Sequence, residues 1–272
     1  MVGQVFAASP QRIISAMPSI TEILYALELD EKIVGVTTNC NYPPRAKKKQ
    51  KVGGFFLNLE KVVSLDPDLI IMQADAQPKD IKRFREYGLP VYTVNPLTIE
   101  ELMVVIREIG EKTGTQGKAQ QITKDMQSRL RGVERRYKSF KPSLADVLKL
   151  WQAKEKKRQA LVIVGLNPLI VAGGGTFIDD VIKKAGVENV AGKARAAYPQ
   201  FSFERLVKED PQYIIMPKGL IAKEAMRKDK RWRSLEAVRQ DRILFVDQDI
   251  ISRPGPRVVE AVEAIAEFIY QK

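Results

Sequence analysis

The amino-acid sequence predicts an α/β protein of two lobes, each built on a mainly parallel sheet, with one long backbone helix joining them. The chain has 272 residues, which exceeds the roughly 250 residues at which a single core tends to split into domains. Short apolar runs alternate with helical patterns in both halves, and a segment of the first half recurs in the second. We expect a first lobe over residues 1–116, a bridging helix over residues 117–140 and a second lobe over residues 141–272.

The predicted strands are short runs in which nearly every residue is apolar. Such runs are typical of strands that are buried on both faces, as in parallel sheets whose connections are helices. They extend from Ile13 to Ala16, Val34 to Thr38, Leu69 to Met72 and Val91 to Val94 in the first half, and from Leu161 to Val164, Leu169 to Ala172, Tyr213 to Met216 and Ile243 to Val246 in the second. Each half therefore predicts a parallel sheet covered by helices.

The bridging helix is predicted from one apolar stripe between the halves. Its residues recur at spacings of four, four, three and four, which places them on one side of a helix. They are Ile122, Met126, Leu130, Val133 and Tyr137. A helix from about Gly117 to Tyr137 would be about 30 Å long, enough to cross a small domain.

Two further segments flank this helix. A preceding helix is expected to begin at Thr98, where Thr98 and Glu101 form a capping box, and to end near Gly114. The segment from Lys141 to Arg158 has mixed charge and no clear periodicity. We interpret it as a connection into the second lobe.

An internal repeat supports the division into two lobes. The segment from Asn58 to Met72 aligns without a gap with the segment from Ser202 to Met216. Glu60 then matches Glu204, and the Asp-Pro pairs and the Ile-Ile-Met runs of the two segments also coincide. Each copy predicts a short helix that opens with a glutamate, an Asp-Pro turn and a buried strand.

Composition excludes several classes of function. The chain has no histidine, which removes Ser/His and Cys/His catalysis, histidine zinc sites and histidine-ligated haem. The single cysteine, Cys40, cannot form an internal disulfide and says nothing about the compartment. The formal charge of +12 is compatible with an anionic ligand or surface. The basic runs carry no nucleic-acid motif, so we expect no nucleic-acid partner.

Carboxylate pairs are the best candidates for catalysis, and none has an attached motif. These pairs are Asp179 with Asp180 and Asp247 with Asp249. We therefore expect no catalytic residues, no metal site and no enzymatic activity; an enzyme that uses a carboxylate pair stays as the lower-ranked alternative.

Two features of the sequence bear on membrane insertion and export. No run approaches the roughly 20 apolar residues that span a bilayer, so we do not expect a membrane-spanning protein. Residues 5–9 resemble the small-residue end of a signal peptide, but no hydrophobic core precedes them. Either an export segment has been removed from this chain or the similarity is a coincidence.

Several motifs in a fixed order resemble the substrate-binding proteins of ABC importers for cobalamin and iron siderophores. The motifs are RIISAMPSITEILYALELDEKIVGVT (Arg12–Thr37), NYPP (Asn41–Pro44), NLEKVVSLDPDLII (Asn58–Ile71), NPLIVAGGGTFIDDVIKKAGVENV (Asn167–Val190), YPQFSFERLV (Tyr198–Val207) and SRPGPR (Ser252–Arg257). The resemblance covers almost the whole chain except the segment from Lys141 to Arg158, and NYPP and YPQ are most similar to the cobalamin-binding branch.

The resemblance implies a fold and a partner. It implies two α/β lobes bridged by one long helix, a ligand held in the cleft between the lobes, and little hinge motion on binding. It also implies docking on a dimeric membrane permease of an ABC transporter, in the periplasm or another extracytoplasmic location, free or membrane-anchored. Glu60 and Glu204 match the family's docking glutamates, one per lobe. For a single glutamate, a carboxylate favoured by the helix dipole is the simpler explanation.

The resemblance further implies residues that contact the ligand, which would be a corrinoid and not a resident cofactor. Phe55 matches an aromatic position, Tyr42 lies in NYPP, Tyr198 lies on the other lobe, and Asp249 matches an aspartate before SRPGPR. Aromatic faces suit a large flat ligand. A core position for Phe55 and an ordinary proline turn at NYPP are the alternatives.

Three positions differ from the cobalamin branch. Asn39, Gln73 and Ile250 stand where that branch often has aromatic residues. We include Asn39 and Gln73 among the candidate ligand contacts. The departure leaves cobinamide, a modified corrinoid, a ferric siderophore or another iron complex open as the ligand.

Overall fold

The computed structural model describes residues 9–139 and 158–270, and these residues form two compact units. The first unit contains residues 9–96, 100–125 and 254–256, and the second contains the other described residues. The small-residue segment at residues 5–9 lies outside the described ranges apart from Ser9. The connection expected from Lys141 to Arg158 lies outside them apart from Arg158.

The first unit is built on a four-stranded parallel sheet. Its strands are β1 (Ile13–Ser15), β2 (Ile33–Val36), β3 (Leu69–Gln73) and β4 (Val91–Val94). Their order is β2-β1-β3-β4, and every neighbouring pair is parallel. The central strands β1 and β3 are buried along almost their whole length, as the continuous apolar runs predict.

Helices connect these strands and continue into the second unit. They are α1 (Pro18–Ala26), α2 (Leu59–Ser64), α3 (Pro78–Glu86), α4 (Ile99–Thr113) and α5 (Gln116–Ser139), with short 3-10 turns at Asp30–Lys32 and Pro44–Lys48. Helix α5 is the long helix that the apolar stripe predicts. The boundary between the two units falls inside it, after Asp125.

The second unit contains a five-stranded sheet. Its strands are β5 (Gln159–Leu166), β6 (Leu169–Val171), β7 (Glu188–Asn189), β8 (Tyr213–Pro217) and β9 (Ile243–Val246). Strands β7, β5, β8 and β9 pair in parallel, whereas β6 is antiparallel to β5. The expectation of a parallel strand at Leu169 to Ala172 is therefore wrong. Only Asn167 and Pro168 separate β5 from β6, and so short a connection permits only antiparallel pairing.

Seven helices among the described residues complete the second unit. They are α6 (Phe177–Lys184), α7 (Phe203–Glu209), α8 (Lys223–Lys228), α9 (Lys230–Arg233), α10 (Glu236–Arg239), α11 (Gln248–Ser252) and α12 (Val258–Ile269). Helix α12 buries an apolar face against this unit, and its Glu263 forms a salt bridge of 2.6 Å with Arg129 of α5. This contact joins the second half of the long helix to the C-terminal helix.

The sequence repeat is also a structural repeat. Helix α2 precedes β3 as α7 precedes β8, and Asp66 and Asp210 both adopt left-handed backbone angles, with φ of 41° and 35°. The strand pairing corresponds as well, because Ile70 pairs with Val91 as Ile214 pairs with Ile243. The repeated segment therefore comprises a helix, a turn and a central strand, and this strand pairs with the next strand of its sheet at the equivalent residue.

No helix within residues 9–139 and 158–270 combines the length and the apolar character that a membrane span requires.

Candidate ligand-binding and docking sites

Two adjacent phenylalanines form the most exposed aromatic surface of the first unit. Gly53 and Leu57 make an antiparallel bridge, and Phe55 and Phe56 lie at the tip of the loop that the bridge closes. Their side chains are 61% and 70% exposed, and their rings meet edge to face with centroids 5.2 Å apart. The alternative that Phe55 is a core residue is therefore wrong. The pair offers a wide apolar face to a ligand.

The structure holds this loop in one shape. Gly53 has a φ of 133°, and a Cβ at this position would lie 2.4 Å from the carbonyl oxygen of Phe56, so only glycine fits. The buried carboxylate of Asp80 accepts the backbone N–H of Leu57 at 2.9 Å. Arg83 donates to the Leu57 carbonyl and to Asp80, both at 2.7 Å. Helix α3 thus anchors the base of the loop.

A cavity of about 310 Å³ adjoins the phenylalanines. It is lined by Phe55, Phe56 and the residues from Asp75 to Asp80. Gln73, the last residue of β3, donates its side-chain amide to Asp75 at 3.1 Å. With its amide nitrogen facing Asp75, Asn95 donates to the two carboxylate oxygens at 2.8 and 3.2 Å. These side chains lie at or just after the carboxyl ends of β3 and β4, which is the edge where parallel sheets bind ligands.

Gln77 lines the same cavity and carries a buried acceptor. Its side chain is 4% exposed, and Nε2 donates to the carbonyl oxygen of Ala16 at 3.3 Å. Oε1 has no hydrogen-bond partner in the part of the chain that the structure describes. An unsatisfied buried acceptor costs roughly 1 to 3 kcal/mol. A ligand with an N–H or O–H group would remove this cost if a small side-chain rotation brought the two together.

The other two candidates of the first unit, Asn39 and Tyr42, follow β2. Both side chains are exposed. The N–H of Thr38 donates to the carbonyl oxygen of Gly53 at 2.8 Å, which ties this segment to the base of the phenylalanine loop. Neither Asn39 nor Tyr42 lines the cavity described above. Two of the predicted residues are therefore associated with this cavity. Phe55 lines it, and Gln73 donates a hydrogen bond to Asp75, which also lines it.

The predicted residues of the second unit lie on separate loops. Tyr198 is exposed, and its neighbours are held by hydrogen bonds from Gly173 to Ala197 and from Val171 to Pro199, at 2.7 and 3.1 Å. Asp249 lies in the first turn of α11, and its carboxylate pairs with Arg253 at 2.7 Å. Ile250 follows it and is half-buried. Tyr198 therefore offers an aromatic surface, whereas the charge of Asp249 is already paired.

The two docking candidates occupy equivalent positions. Glu60 is the second residue of α2 and Glu204 the second residue of α7, and both are exposed. Each helix is capped by the residue two positions before its glutamate. Asn58 accepts the N–H of Lys61 at 2.9 Å, and Ser202 accepts the N–H of Arg205 at 3.1 Å. The local fold at each glutamate is thus the same.

Hydrogen bonds favour the ionised form of Glu204. Its own backbone N–H and the Ser202 side chain both lower the pKa of the carboxyl below its ordinary value. A carboxylate in the first turn is also favoured by the helix dipole. Glu204 is therefore negatively charged throughout the neutral range and available to a cationic partner.

The carboxylate pairs considered for catalysis have structural roles. Asp179 is buried and accepts hydrogen bonds from Gly175, Lys183 and Asn189. Asp180 accepts the first N–H of α4, that of Ile99, at 2.8 Å. Asp247 caps α11 by accepting the N–H of Asp249 at 2.8 Å. No cluster of three or more metal-ligating side chains occurs within residues 9–139 and 158–270.

Sequence reasoning missed four residues of the candidate ligand site: Phe56, Asp75, Gln77 and Asn95. The doublet Phe55-Phe56 after two glycines is a signal in the sequence, since two adjacent aromatic residues in a glycine loop have no strand or helix to bury them. Asp75 and Asn95 follow predicted strands at their carboxyl ends, which is where ligand contacts are expected. The unpaired Oε1 of Gln77 has no signal in the sequence.

A family model and a known protein each match most of this chain. A family model described as periplasmic binding protein matches residues 13–250. YvrC of Bacillus subtilis (strain 168), an uncharacterized ABC transporter substrate-binding lipoprotein, is 35% identical over 266 residues, covering 96% of this chain and 80% of that protein.

Solved structures extend the similarity to the fold. The periplasmic vitamin B12 binding protein BtuF of Vibrio cholerae is similar with a TM-score of 0.82 at 27% identity, over 98% of this chain and 100% of that chain. A possible iron-binding (periplasmic solute-binding) protein from Staphylococcus epidermidis ATCC 12228 has a TM-score of 0.77 at 29% identity, over 97% and 100% of the two chains. The similarity covers both units.

Proposed function

The chain belongs to the periplasmic binding protein family, and from this membership we propose that its ligand is a corrinoid, which it delivers to a membrane permease. Its relatives are binding proteins of ABC transporters and not enzymes. The chain is accordingly a substrate-binding component of an ABC importer, and its ligand is cargo and not a cofactor.

The observation that carries the corrinoid proposal is the exposed phenylalanine pair beside a cavity with hydrogen-bond acceptors. A corrinoid has a broad apolar ring fringed by primary amides. The rings of Phe55 and Phe56 suit the flat face of such a ligand. The Asp75 carboxylate and the Gln77 Oε1 suit its amide N–H groups, because both are acceptors. The Vibrio cholerae relative named for vitamin B12 supports the same ligand class.

An iron complex is the second candidate ligand. Lys79 lines the same cavity and provides a positive charge for the carboxylate or hydroxamate oxygens of a ferric siderophore. The Staphylococcus epidermidis relative, described as possibly iron-binding, supports this alternative. We rank it second because Lys79 is exposed and therefore strongly hydrated, whereas the Oε1 of Gln77 is buried and has no hydrogen-bond partner among the described residues.

A titration with a panel of ligands tests the choice. Cyanocobalamin, cobinamide, a ferric hydroxamate siderophore and haem are each titrated into the protein by calorimetry. We expect one corrinoid per chain, unchanged in mass after release and bound at least about tenfold more tightly than the other ligands. Tighter binding of haem or of the ferric siderophore would contradict the corrinoid proposal and favour the iron complex.

We place the protein outside the cytoplasm, where its family acts. The Bacillus subtilis relative is described as a lipoprotein, and we propose a membrane anchor for this protein as well. Radiolabelled palmitate fed to cells that express the protein from its own gene tests this proposal. Labelling of the protein is the expected result, and an unlabelled protein released in soluble form would contradict it.

The docking proposal concerns Glu60 and Glu204. Both glutamates are exposed at equivalent positions of the repeat, and an exposed carboxylate recognises a cationic partner such as arginine. We propose that each contacts the permease. Exposed charges contribute mainly to encounter and register, so the interaction should weaken as salt concentration rises.

A double charge reversal tests docking. Glu60→Lys combined with Glu204→Lys should abolish association with permease-containing vesicles, while corrinoid affinity changes by no more than about threefold. The matched control is Glu31→Lys combined with Glu224→Lys, because both residues are exposed and Glu224 also occupies the second position of a helix. Unimpaired association in the first variant would contradict docking. Loss of corrinoid affinity would assign the glutamates to the ligand site.

A further inference from the structure

Each candidate docking glutamate is followed, one helical turn later, by an exposed valine. Val63 is 48% exposed and Val207 is 40% exposed. Residues three apart on a helix are neighbours on its surface. Glu60 with Val63, and Glu204 with Val207, therefore form two small surfaces of the same composition, each a carboxylate beside a branched apolar side chain.

A single exposed valine needs no explanation, because apolar atoms make up much of any protein surface. The duplication does need one. The residue before each valine, Val62 or Leu206, is fully buried and already anchors its helix to the core. The exposed valine is not required for that packing. Both copies of the repeat nevertheless place a valine at this position.

Other exposed positions of the two helices are polar in both copies. Lys61 corresponds to Arg205 and Ser64 to Lys208, and all four are exposed. The apolar character is thus confined to one position of an otherwise polar face, and that position adjoins the glutamate. The arrangement resembles a small interface with a charged contact and an apolar contact side by side.

We infer that the Glu60–Val63 and Glu204–Val207 surfaces are composite docking sites, and that each valine enters an apolar socket beside the cation that pairs with its glutamate. The inference rests on the proposed docking of the glutamates. The partner is the permease of the importer. Because the two surfaces are copies of one another, the permease presents the same cation and socket twice, from two copies of one subunit.

The valine has a physical role in such a contact. An ion pair that remains in water is weak, whereas an adjacent apolar contact excludes water and strengthens the attraction between the charges. Apolar burial also adds a contribution that salt does not screen. Docking should therefore retain a salt-resistant component that depends on Val63 and Val207.

Replacing the valines while keeping the glutamates tests the inference. Val63→Ser combined with Val207→Ser should weaken association with permease vesicles by about tenfold, given the apolar area that the two side chains expose. The loss should persist at high salt, where the contribution of the charges is screened, and corrinoid affinity should be unchanged. The isosteric Val63→Thr with Val207→Thr variant keeps the branched shape and should show a smaller loss in the same direction.

Val104→Ser is the matched control. Val104 is 43% exposed on helix α4, and the repeat does not include it. Its replacement should leave association unchanged. Unaltered association in both valine variants would overturn the inference while leaving the glutamate proposal intact, since the charge reversals test that proposal separately. Concentration-dependent dimers of the protein that the valine substitutions abolish would also overturn it, because a second copy would then be the occupant.

Discussion

Phe55, which we propose contacts the ligand, is 61% exposed. Its ring lies at the tip of a loop with a defined shape, next to Phe56 and to a cavity with polar walls. The anchoring of this loop by Asp80 and Arg83 means that the rings are already in position before a ligand arrives. A preorganised aromatic surface binds with less loss of conformational entropy than a flexible one.

Truncation of the two rings gives a residue-level prediction. Phe55→Ala and Phe56→Ala should each weaken corrinoid binding by roughly 1 to 3 kcal/mol, because each removes an aromatic face buried by the ligand. Calorimetry measures the affinity. Tyr87→Ala is the matched control, since Tyr87 is an aromatic residue of the same unit that is 65% exposed and does not line the cavity. Binding that survives removal of both phenylalanines would place the ligand elsewhere.

Other residues of the candidate site differ in how far the sequence predicts them. Asp75 and Asn95 stand at the ends of strands that the sequence identifies, but their mutual hydrogen bond depends on strand order. The sequence contains four strands in this unit and does not state that β3 and β4 are neighbours. The position of the Gln77 side chain depends on the hydrogen bond from its Nε2 to the Ala16 carbonyl oxygen, which no local pattern encodes.

At the scale of elements, the repeat is the feature that sequence reasoning predicts best. Its helix, left-handed aspartate and buried strand all appear twice in the structure. Strand β6 is the element that the sequence predicts least well. Its apolar run has the composition of a parallel strand, and only the length of the preceding turn indicates an antiparallel one. The apolar composition of this run predicts that the strand is buried, whereas the two-residue connection from β5 determines that it runs antiparallel.

Replacing Gly186 or Gly132 with alanine should change the free energy of unfolding in opposite directions. Gly186 has a φ of 79°, and an added Cβ would lie 2.6 Å from the Tyr137 ring. Gly186→Ala should therefore destabilise the protein by roughly 1 to 3 kcal/mol. Gly132 lies inside helix α5, and an added Cβ meets nothing within 4 Å. Gly132→Ala should stabilise the protein by about 0.5 to 1 kcal/mol.

Urea denaturation followed by circular dichroism measures both changes. The two variants form a matched pair, because each adds the same methyl group. A neutral Gly186→Ala variant would show that Tyr137 does not pack against Gly186. A destabilised Gly132→Ala variant would show that the middle of α5 is not a regular, unobstructed helix.

At the scale of the whole molecule, the sequence predicts two units and a long helix, but it does not predict which residues group into each unit. Each unit includes a short segment whose neighbours in the chain belong to the other unit. Residues 97–99 group with the second unit, where Ile99 meets Asp180, and residues 254–256 group with the first, where Gly255 approaches Glu22. Such contacts join residues far apart in the chain. They depend on tertiary packing, which a linear pattern does not contain.

Amide hydrogen exchange, with and without cobinamide, tests whether a corrinoid binds beside the phenylalanine pair. It reports in one experiment whether a corrinoid binds and where. We expect slower exchange over residues 53–57 and 75–80, which carry the phenylalanine pair and the cavity wall. Unchanged exchange in both segments at saturating cobinamide, or slower exchange confined to other parts of the chain, would contradict this expectation.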